Sequence, residues 1–326
     1  MDLIEDRLAK KEQIILFLNR RGYSSFVSCR ECGKTIKCPH CDVSLTLHKD
    51  YEGGKLVCHY CGHSIVAPKK CPECDSKYIG RFGIGTEQVE ERIKTLFPNA
   101  RVLRLDMDTT RGKDGHEKIL SSFANGEADI LIGTQMVVKG HDFFKVTLVG
   151  ILAADLSLNA PDYMASERTF SLITQAAGRA GRGDLSGEVV VQSYSPENEC
   201  IQKAIRQDYE GFYEYEIDYR KIMGYPPVQG MCVILISHIN EKFLDRVSKD
   251  VAGRIEKSKI DGLVMLGPSK ATISKINNVY RNVIYIKHDS EEVISKIEAA
   301  IMRYVNMVES YKDIVVQFDY NPMSGY

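Results

Sequence analysis

Eight of the ten cysteines form four Cys-x-x-Cys pairs, Cys29/Cys32, Cys38/Cys41, Cys58/Cys61 and Cys71/Cys74, and no other feature restricts the early part of the chain so tightly. Each pair is followed by Gly33, Asp42, Gly62 or Asp75, residue types that tolerate the left-handed backbone by which a zinc knuckle aims N–H groups at thiolate sulfur. The pairs sit among Gly, Pro and Asp in a segment with little apolar material of its own. Structural zinc can contribute roughly 10–16 kcal/mol to folding, enough to hold such a segment together.

Two four-thiolate sites would use all eight sulfurs. The stretch from Cys41 to Cys58 fits the ribbon spacing of about 15–20 residues, which leaves Cys29 and Cys32 to close with Cys71 and Cys74. Spacing favours this nested pairing over a sequential one, which would join Cys32 to Cys38 across a tight connection and stays open. With eight thiolates present, His40, His48, His59 and His63 read as exposed or neighbouring groups and not as ligands. Four thiolates also close the coordination shell, so the zinc is expected to be structural; a catalytic zinc keeps a position for water. Such a site is dianionic, and the formal net charge of −1 understates the negative charge of a metallated chain. Arg30, Lys34, Lys37, Lys69, Lys70 and Lys77 could offset it or contact nucleic-acid phosphates. Cys200 and Cys232 stand alone and read as buried thiols.

A disulfide framework needs an oxidising compartment, yet the sequence shows neither a secretory signal nor an apolar stretch near the ~20 residues of a membrane span. A cytoplasmic protein without a membrane partner is expected. A redox Cys-x-x-Cys would open a helix of a thioredoxin-like unit, for which this segment is too short.

The 326 residues, 44% apolar and 27% charged, suffice for two or three domains. Nucleic-acid binding would have to come from local patches, because charge is balanced overall. A helix over Leu3 to Lys11 and a strand over Gln13 to Leu18 precede the cysteines. Strands and helices then alternate to about Ser193, which predicts a parallel α/β sheet interrupted by the cysteine segment. That α/β lobe is thus expected over 1–28 and 79–196, the zinc insertion over 29–78, and a helical linker leading away over 197–223. Residues 224–326 read strand, helix, strand, strand, helix, strand, the order of a ferredoxin-like split β-α-β unit. Its hairpin, with Lys270, Lys275 and Arg281, is either a DNA contact or a plain solvated turn.

The chemistry concentrates in Gln175-Ala-Ala-Gly178-Arg179-Ala-Gly181-Arg182. A continuous helix would align Gln175, Gly178, Arg179 and Arg182 on one face, and two glycines within it, each costing roughly 1 kcal/mol against alanine, suggest close approach of a ligand to the backbone. Paired guanidinium forks match phosphate oxygens, as in an arginine finger. Upstream, Ala128 to Gln135 is an apolar run ending in Gly133-Thr134, a strand whose end carries a functional loop. That loop continues through Lys139-Gly140-His141-Asp142.

This order of strand, Gly-Thr loop, Gly-x-Asp-Phe, strand, Asp155, helix and Gln-x-x-Gly-Arg-x-Gly-Arg resembles the second RecA-like lobe of superfamily-2 helicases. Together with Phe17-Leu-Asn19-Arg20-Arg21-Gly22-Tyr23, the cysteine pairs, Gly85-Thr86-Glu87-Gln88, Asp106-x-Asp108-Thr109-Thr110, Pro226-Pro227 and Gly267-Pro268, it resembles the primosomal protein N′ family of replication-restart helicases over essentially the whole chain. Asp319-Tyr320-Asn321-Pro322 departs from the Asp-x-Asp-Pro expected there. The resemblance implies a 3′-to-5′ DNA helicase driven by ATP and Mg²⁺, acting at branched or forked DNA with primosome proteins and single-strand-binding protein. It implies Arg182 as the finger on the γ-phosphate, Arg179 supporting it, Gln175 positioning water or phosphate, and Asp142 near the ribose with Gly133 and Thr134. Thr134, Gln135, Lys139, Arg20 and Arg21 would touch the nucleic-acid backbone. No Gly-x-x-x-x-Gly-Lys-[Ser/Thr] loop or Asp-Glu-x-His motif occurs, so half an ATP site and no hydrolysis by this stretch alone are expected. The competing expectation is a non-catalytic zinc-ribbon module that binds DNA or protein.

Overall fold

A computed structural model describes residues 1–18, 26–29, 31–48, 54–58, 60–82, 85–106, 109–110, 115–134, 143–160, 162–182 and 185–325. In chain order, α1 (Asp2–Ala9) and β1 (Gln13–Leu18) precede β2 (Phe26–Cys29), β3 (Thr46–His48), β4 (Lys55–Val57), β5 (Ser64–Val66) and β6 (Ile79–Phe82). There follow α2 (Thr86–Leu96), β7 (Val102–Leu105), α3 (Gly115–Ala124), β8 (Ile130–Gly133), β9 (Val146–Leu152), α4 (Asp155–Leu158), α5 (Ala165–Ala177), β10 (Glu188–Val191), α6 (Glu199–Ile205) and α7 (Tyr209–Met223). The last stretch is β11 (Gly230–His238), α8 (Glu241–Lys257), β12 (Val264–Ile276), β13 (Val279–His288), α9 (Glu291–Met307) and β14 (Val315–Tyr320). The residues form two compact units, Met1–Ser24 with Gly83–Glu216, and Ser25–Phe82 with Ile217–Tyr326.

The first unit is built on a parallel sheet in the order β10-β9-β1-β8-β7. Every residue of central β1 is buried, as a strand covered on both faces requires. The period of two divides its side chains. Ile14, Leu16 and Leu18 meet Ile4 of α1 and Ile93 of α2, while Ile15 and Phe17 share a core with Phe123 of α3, Ile173 of α5 and Ile201 of α6.

Of the expected linker over 197–223, residues 197–216 belong to this lobe, and only 217–223 group with the second unit. Gln207, at φ 54, and Asp208, whose carboxylate accepts the Gly211 N–H at 2.9 Å, break the segment into α6 and α7. Cys200, Ile201, Ala204 and Phe212 are buried in the lobe's core, with Phe212 stacked on Phe170 at 4.2 Å between ring centroids. Burial pushes the Cys200 thiol up to about 12; Cys232, in the second unit, is likewise pushed up to about 12. Both are inert packing groups.

In the second unit the cysteine segment forms an antiparallel sheet in the order β5-β4-β3-β2-β6. Its root is the β2–β6 pair, with Phe26 opposite Phe82 and Cys29 opposite Ile79. The C-terminal strands form a second antiparallel sheet, β12-β13-β11-β14, the split β-α-β arrangement expected from the element order. Cys232, Ile234 and Ile236 of β11 face Leu244, Val247 and Val251 of α8 and Ile294, Ile297 and Ile301 of α9. At Asn321 the backbone turns left-handed, φ 47, and the side-chain oxygen accepts the Met231 N–H at 3.0 Å. The departure from the expected Asp therefore has a structural use, tying the end of β14 to the start of β11. Lys287 is buried and donates to the Met223 carbonyl at the end of α7, 2.9 Å away, with its amine 3.7 Å from the Tyr225 ring centre. Burial lowers its pKa, while the carbonyl and ring favour its charged form.

Strand β12 runs through Gly267-Pro268 to Ile276. It turns into β13 through Asn277 and Asn278, both left-handed at φ 49 and 63, the two-residue hairpin geometry that Asn favours.

Candidate functional site

Two arrangements carry chemistry, one in each unit. In the cysteine segment the sulfurs group in the nested order: Cys29, Cys32, Cys71 and Cys74 in an outer cluster, and Cys38, Cys41, Cys58 and Cys61 in an inner one. Within each cluster all ligand atoms lie within 4.8 Å of one another. Cys29 and Cys74, Cys32 and Cys71, and Cys38 and Cys61 approach to 3.6 Å between sulfurs. Four sulfurs each 2.3 Å from a tetrahedral zinc would stand about 3.8 Å apart, so both clusters have the dimensions of a zinc–thiolate site. None of the eight cysteines is in a disulfide. No histidine joins the clusters among the described residues: the rings of His40 and His63 meet edge to face at 5.1 Å beside the inner one, and His59 lies outside the described residues. Of the nearby cations, Lys34 pairs with Glu73 at 3.1 Å and Lys37 with Asp42 at 3.2 Å; Arg30 lies outside the described residues.

Three knuckles have the expected backbone. Gly33, Gly62 and Asp75 are left-handed at φ 72, 75 and 55, and their N–H groups close onto the carbonyls of Cys29, Cys58 and Cys71 at 3.1, 2.9 and 3.0 Å. Asp42 is the exception. It is not left-handed, and its N–H donates to the Lys275 carbonyl at 2.8 Å. The hairpin carrying Lys275 is therefore not a plain solvated turn. Lys270 pairs with Glu241, Lys275 donates to the Pro39 carbonyl at 2.9 Å, and Arg281 donates to the Ile273 carbonyl at 3.3 Å. Sequence reasoning missed this docking. Its only local sign was the Asn277-Asn278 turn.

In the first unit, α5 ends at Ala177 and not beyond Arg182. Gly178 caps it, and Gly181 is left-handed at φ 71. The predicted single helical face of Gln175, Gly178, Arg179 and Arg182 is thus broken after its first member. A Cβ on Gly181 would fall 2.6 Å from the Gly187 backbone nitrogen, so the glycine is required by the chain's own backbone rather than by a ligand. The Gly181 N–H donates to the Val146 carbonyl at 2.9 Å, which pins the arginine segment at the amino end of β9. Gln175 and Arg182 are exposed and Arg179 half-buried. Arg182 Nε donates to the Gly178 carbonyl at 2.7 Å, a cation at a helix carboxyl end.

Gly133 and Thr134 stand elsewhere. Gly133 is opposite Phe17, which is opposite Ile151 near the carboxyl end of β9. The two glycine-bearing motifs therefore occupy opposite edges of the sheet, separated by a strand length of about 15–20 Å. The expected grouping of Gly133 and Thr134 with the arginines around one nucleotide is not what the sheet produces. Asp142, Gln135, Lys139, Arg20 and Arg21 lie outside the described residues. At the carboxyl edge, Asp106 is buried and accepts from the Thr86 hydroxyl at 2.6 Å and the Thr109 N–H at 3.0 Å. Asp155 accepts from the Ser193 hydroxyl at 2.8 Å and the Tyr194 N–H at 2.9 Å. Burial alone would raise the Asp155 carboxyl, but these donors outweigh it and hold it below its ordinary value.

A parallel lobe with an arginine-rich helix end, interrupted by an eight-cysteine module, defines a protein of the helicase class. Residues 81–184 match the helicase conserved C-terminal domain, 38–65 the PriA DNA helicase Cys-rich region, and 221–323 the primosomal protein N C-terminal domain. The replication restart protein PriA of Bacillus subtilis is 43% identical over 322 residues, 99% of this chain and 40% of that protein. PriA of Synechocystis is 43% identical over 86% of this chain and 34% of its own length, and that of Haemophilus influenzae 37% over 91% and 40%. The chain belongs to the PriA family and spans about 40% of the length of the Bacillus relative.

Proposed function

We propose that these residues are the second motor lobe, two-zinc module and C-terminal domain of an ATP-dependent, 3′-to-5′ DNA helicase that acts at branched or stalled forks in the cytoplasm and restarts replication through primosome assembly. The observation that carries this reading is the exposed Arg182 on a segment pinned to the amino end of β9, a few residues from Asp142 and Phe143 in sequence. An arginine held by its own helix end is already positioned to meet a phosphate, with little left to order when the nucleotide arrives. Arg182 would neutralise charge on the γ-phosphate, Arg179 would hold it, Gln175 would orient water or phosphate, and Asp142 would meet the ribose.

The opposite edge suits DNA. Thr134, Gln135 and Lys139 follow β8, and such contacts position a strand without reading its bases; Arg20 and Arg21 follow the adjacent β1. The two cysteine clusters fit structural zinc, whose contribution is to fold the module, with every thiolate committed and none left for water. ATP and Mg²⁺ need a phosphate loop and magnesium carboxylates, motifs that do not occur in these 326 residues. No described helix is long and apolar enough to cross a membrane. Single-strand-binding protein and primosome proteins are the proposed partners.

In a protein carrying both motor lobes, Arg182→Ala is expected to lower DNA-stimulated ATP turnover by about 10³-fold while leaving zinc content and thermal unfolding unchanged. Turnover equal to the parent would dismiss the finger assignment.

A further inference from the structure

The Cys38/Cys41 knuckle differs from the other three in a way that involves a second domain. It lacks the left-handed residue after its second cysteine, because the Asp42 N–H is bound to the Lys275 carbonyl. In its place the Asn277 N–H of the β12–β13 turn lies 3.1 Å from Cys41 Sγ. Cys41 is 1% exposed, so water cannot supply that donor. Around it the Asn278 N–H donates to the His40 carbonyl at 2.8 Å, and the Ser274 hydroxyl donates to the Asp42 carboxylate at 2.9 Å. Ile276 packs against the apolar residues of the cysteine segment.

Resting on the zinc reading above, we infer that the Asn277–Asn278 turn of the C-terminal domain completes the inner metal site, so that zinc on Cys38, Cys41, Cys58 and Cys61 and docking of the hairpin stabilise each other. A buried thiolate needs hydrogen-bond donors, and a metal keeps Cys41 as thiolate. The donor therefore raises metal affinity, and the metal strengthens the donor's bond. By linkage the two effects are equal in free energy. The hairpin's bonds to Pro39, His40, Cys41 and Asp42 all fall on the inner knuckle, so the coupling is assigned to the inner zinc.

The test follows zinc release from the full chain into excess chelator. Asn277→Val disfavours the left-handed φ of 49 and withdraws the N–H, whereas Asn277→Gly keeps both. One of two release phases should quicken about tenfold or more in the valine variant and in neither phase in the glycine variant. Hydrogen exchange on the unmodified chain supplies a second measure: removing zinc should deprotect the amides of Asn277 and Asn278 while those of β11 stay protected. Two unchanged release phases in the valine variant, or equal protection of the turn with and without zinc, overturns the inference and leaves the zinc reading standing. An unmodified chain that binds no zinc removes both.

Discussion

The two cysteine clusters have the same ligands and different surroundings. The outer one leaves Cys32 and Cys74 exposed and closes both knuckles with its own left-handed residues, Gly33 and Asp75. The inner one buries Cys38, Cys41 and Cys58 and borrows a donor from a turn more than two hundred residues away in sequence. A self-contained site can form as soon as its segment is made, whereas a borrowed donor ties its site to the folding of another domain. The outer zinc should accordingly be the more accessible to chelator and the inner zinc the more dependent on tertiary structure.

The broadest way to break this comparison is to remove both metals. The loss, roughly 10 kcal/mol or more per site, should unfold Ser25–Phe82 and expose the β2–β6 amides, while the parallel sheet of the first unit keeps its protection. Hydrogen exchange reads this directly, and a cysteine segment that stays protected without zinc would mean that its apolar residues suffice. Next in size, Cys41→Ser and Cys74→Ser should each leave about one zinc per chain, with the inner variant lowering thermal stability more because it leaves a buried site open. Equal losses would erase the distinction.

Backbone substitutions sharpen the contrast at smaller scale. Gly33→Ala and Gly62→Ala should each cost about 1–2 kcal/mol through the left-handed φ alone, since an added Cβ meets nothing within 4 Å. Asp42→Ala carries no such strain. Its cost should stay near or below about 1 kcal/mol, from its bonds to Lys37 and Ser274. Denaturant midpoints at fixed zinc would show whether the order holds. The smallest effect is the acid response of one carboxylate in the first unit. Asp155 is held below its ordinary 3.8, so its contribution is complete above that value and fades as pH falls through the lowered one. Asp155→Asn should flatten this limb of the stability curve, and an unchanged limb would assign it to other carboxylates.

Much of this was legible in the chain. Eight cysteines at fixed spacing admit few closures, and the nested one is the arrangement present. Element order alone anticipated the split β-α-β sheet, because short connections leave little freedom of topology. The misreadings share a cause. A helical period carried the eye past Ala177, where the backbone turns so that Gly181 can lie against Gly187. Residues 197–223 looked like a linker because α6 presents only Cys200, Ile201 and Ala204 to the core, too few to mark periodicity. Asp42 fitted a knuckle by residue type, and nothing local revealed that its N–H was committed to Lys275. In each case the deciding partner lay far away along the sequence.

The β2–β6 pair has one more consequence. Because the strand that leaves the cysteine segment runs back beside the strand that enters it, Phe26 against Phe82, the polypeptide departs about 5 Å from where it arrived. Such a doorway sets both ends of the metal-bearing stretch side by side, so its own turns can lengthen without asking β2 and β6 to span a new distance, while its bonds to the C-terminal hairpin keep it from being a part that can simply be cut out.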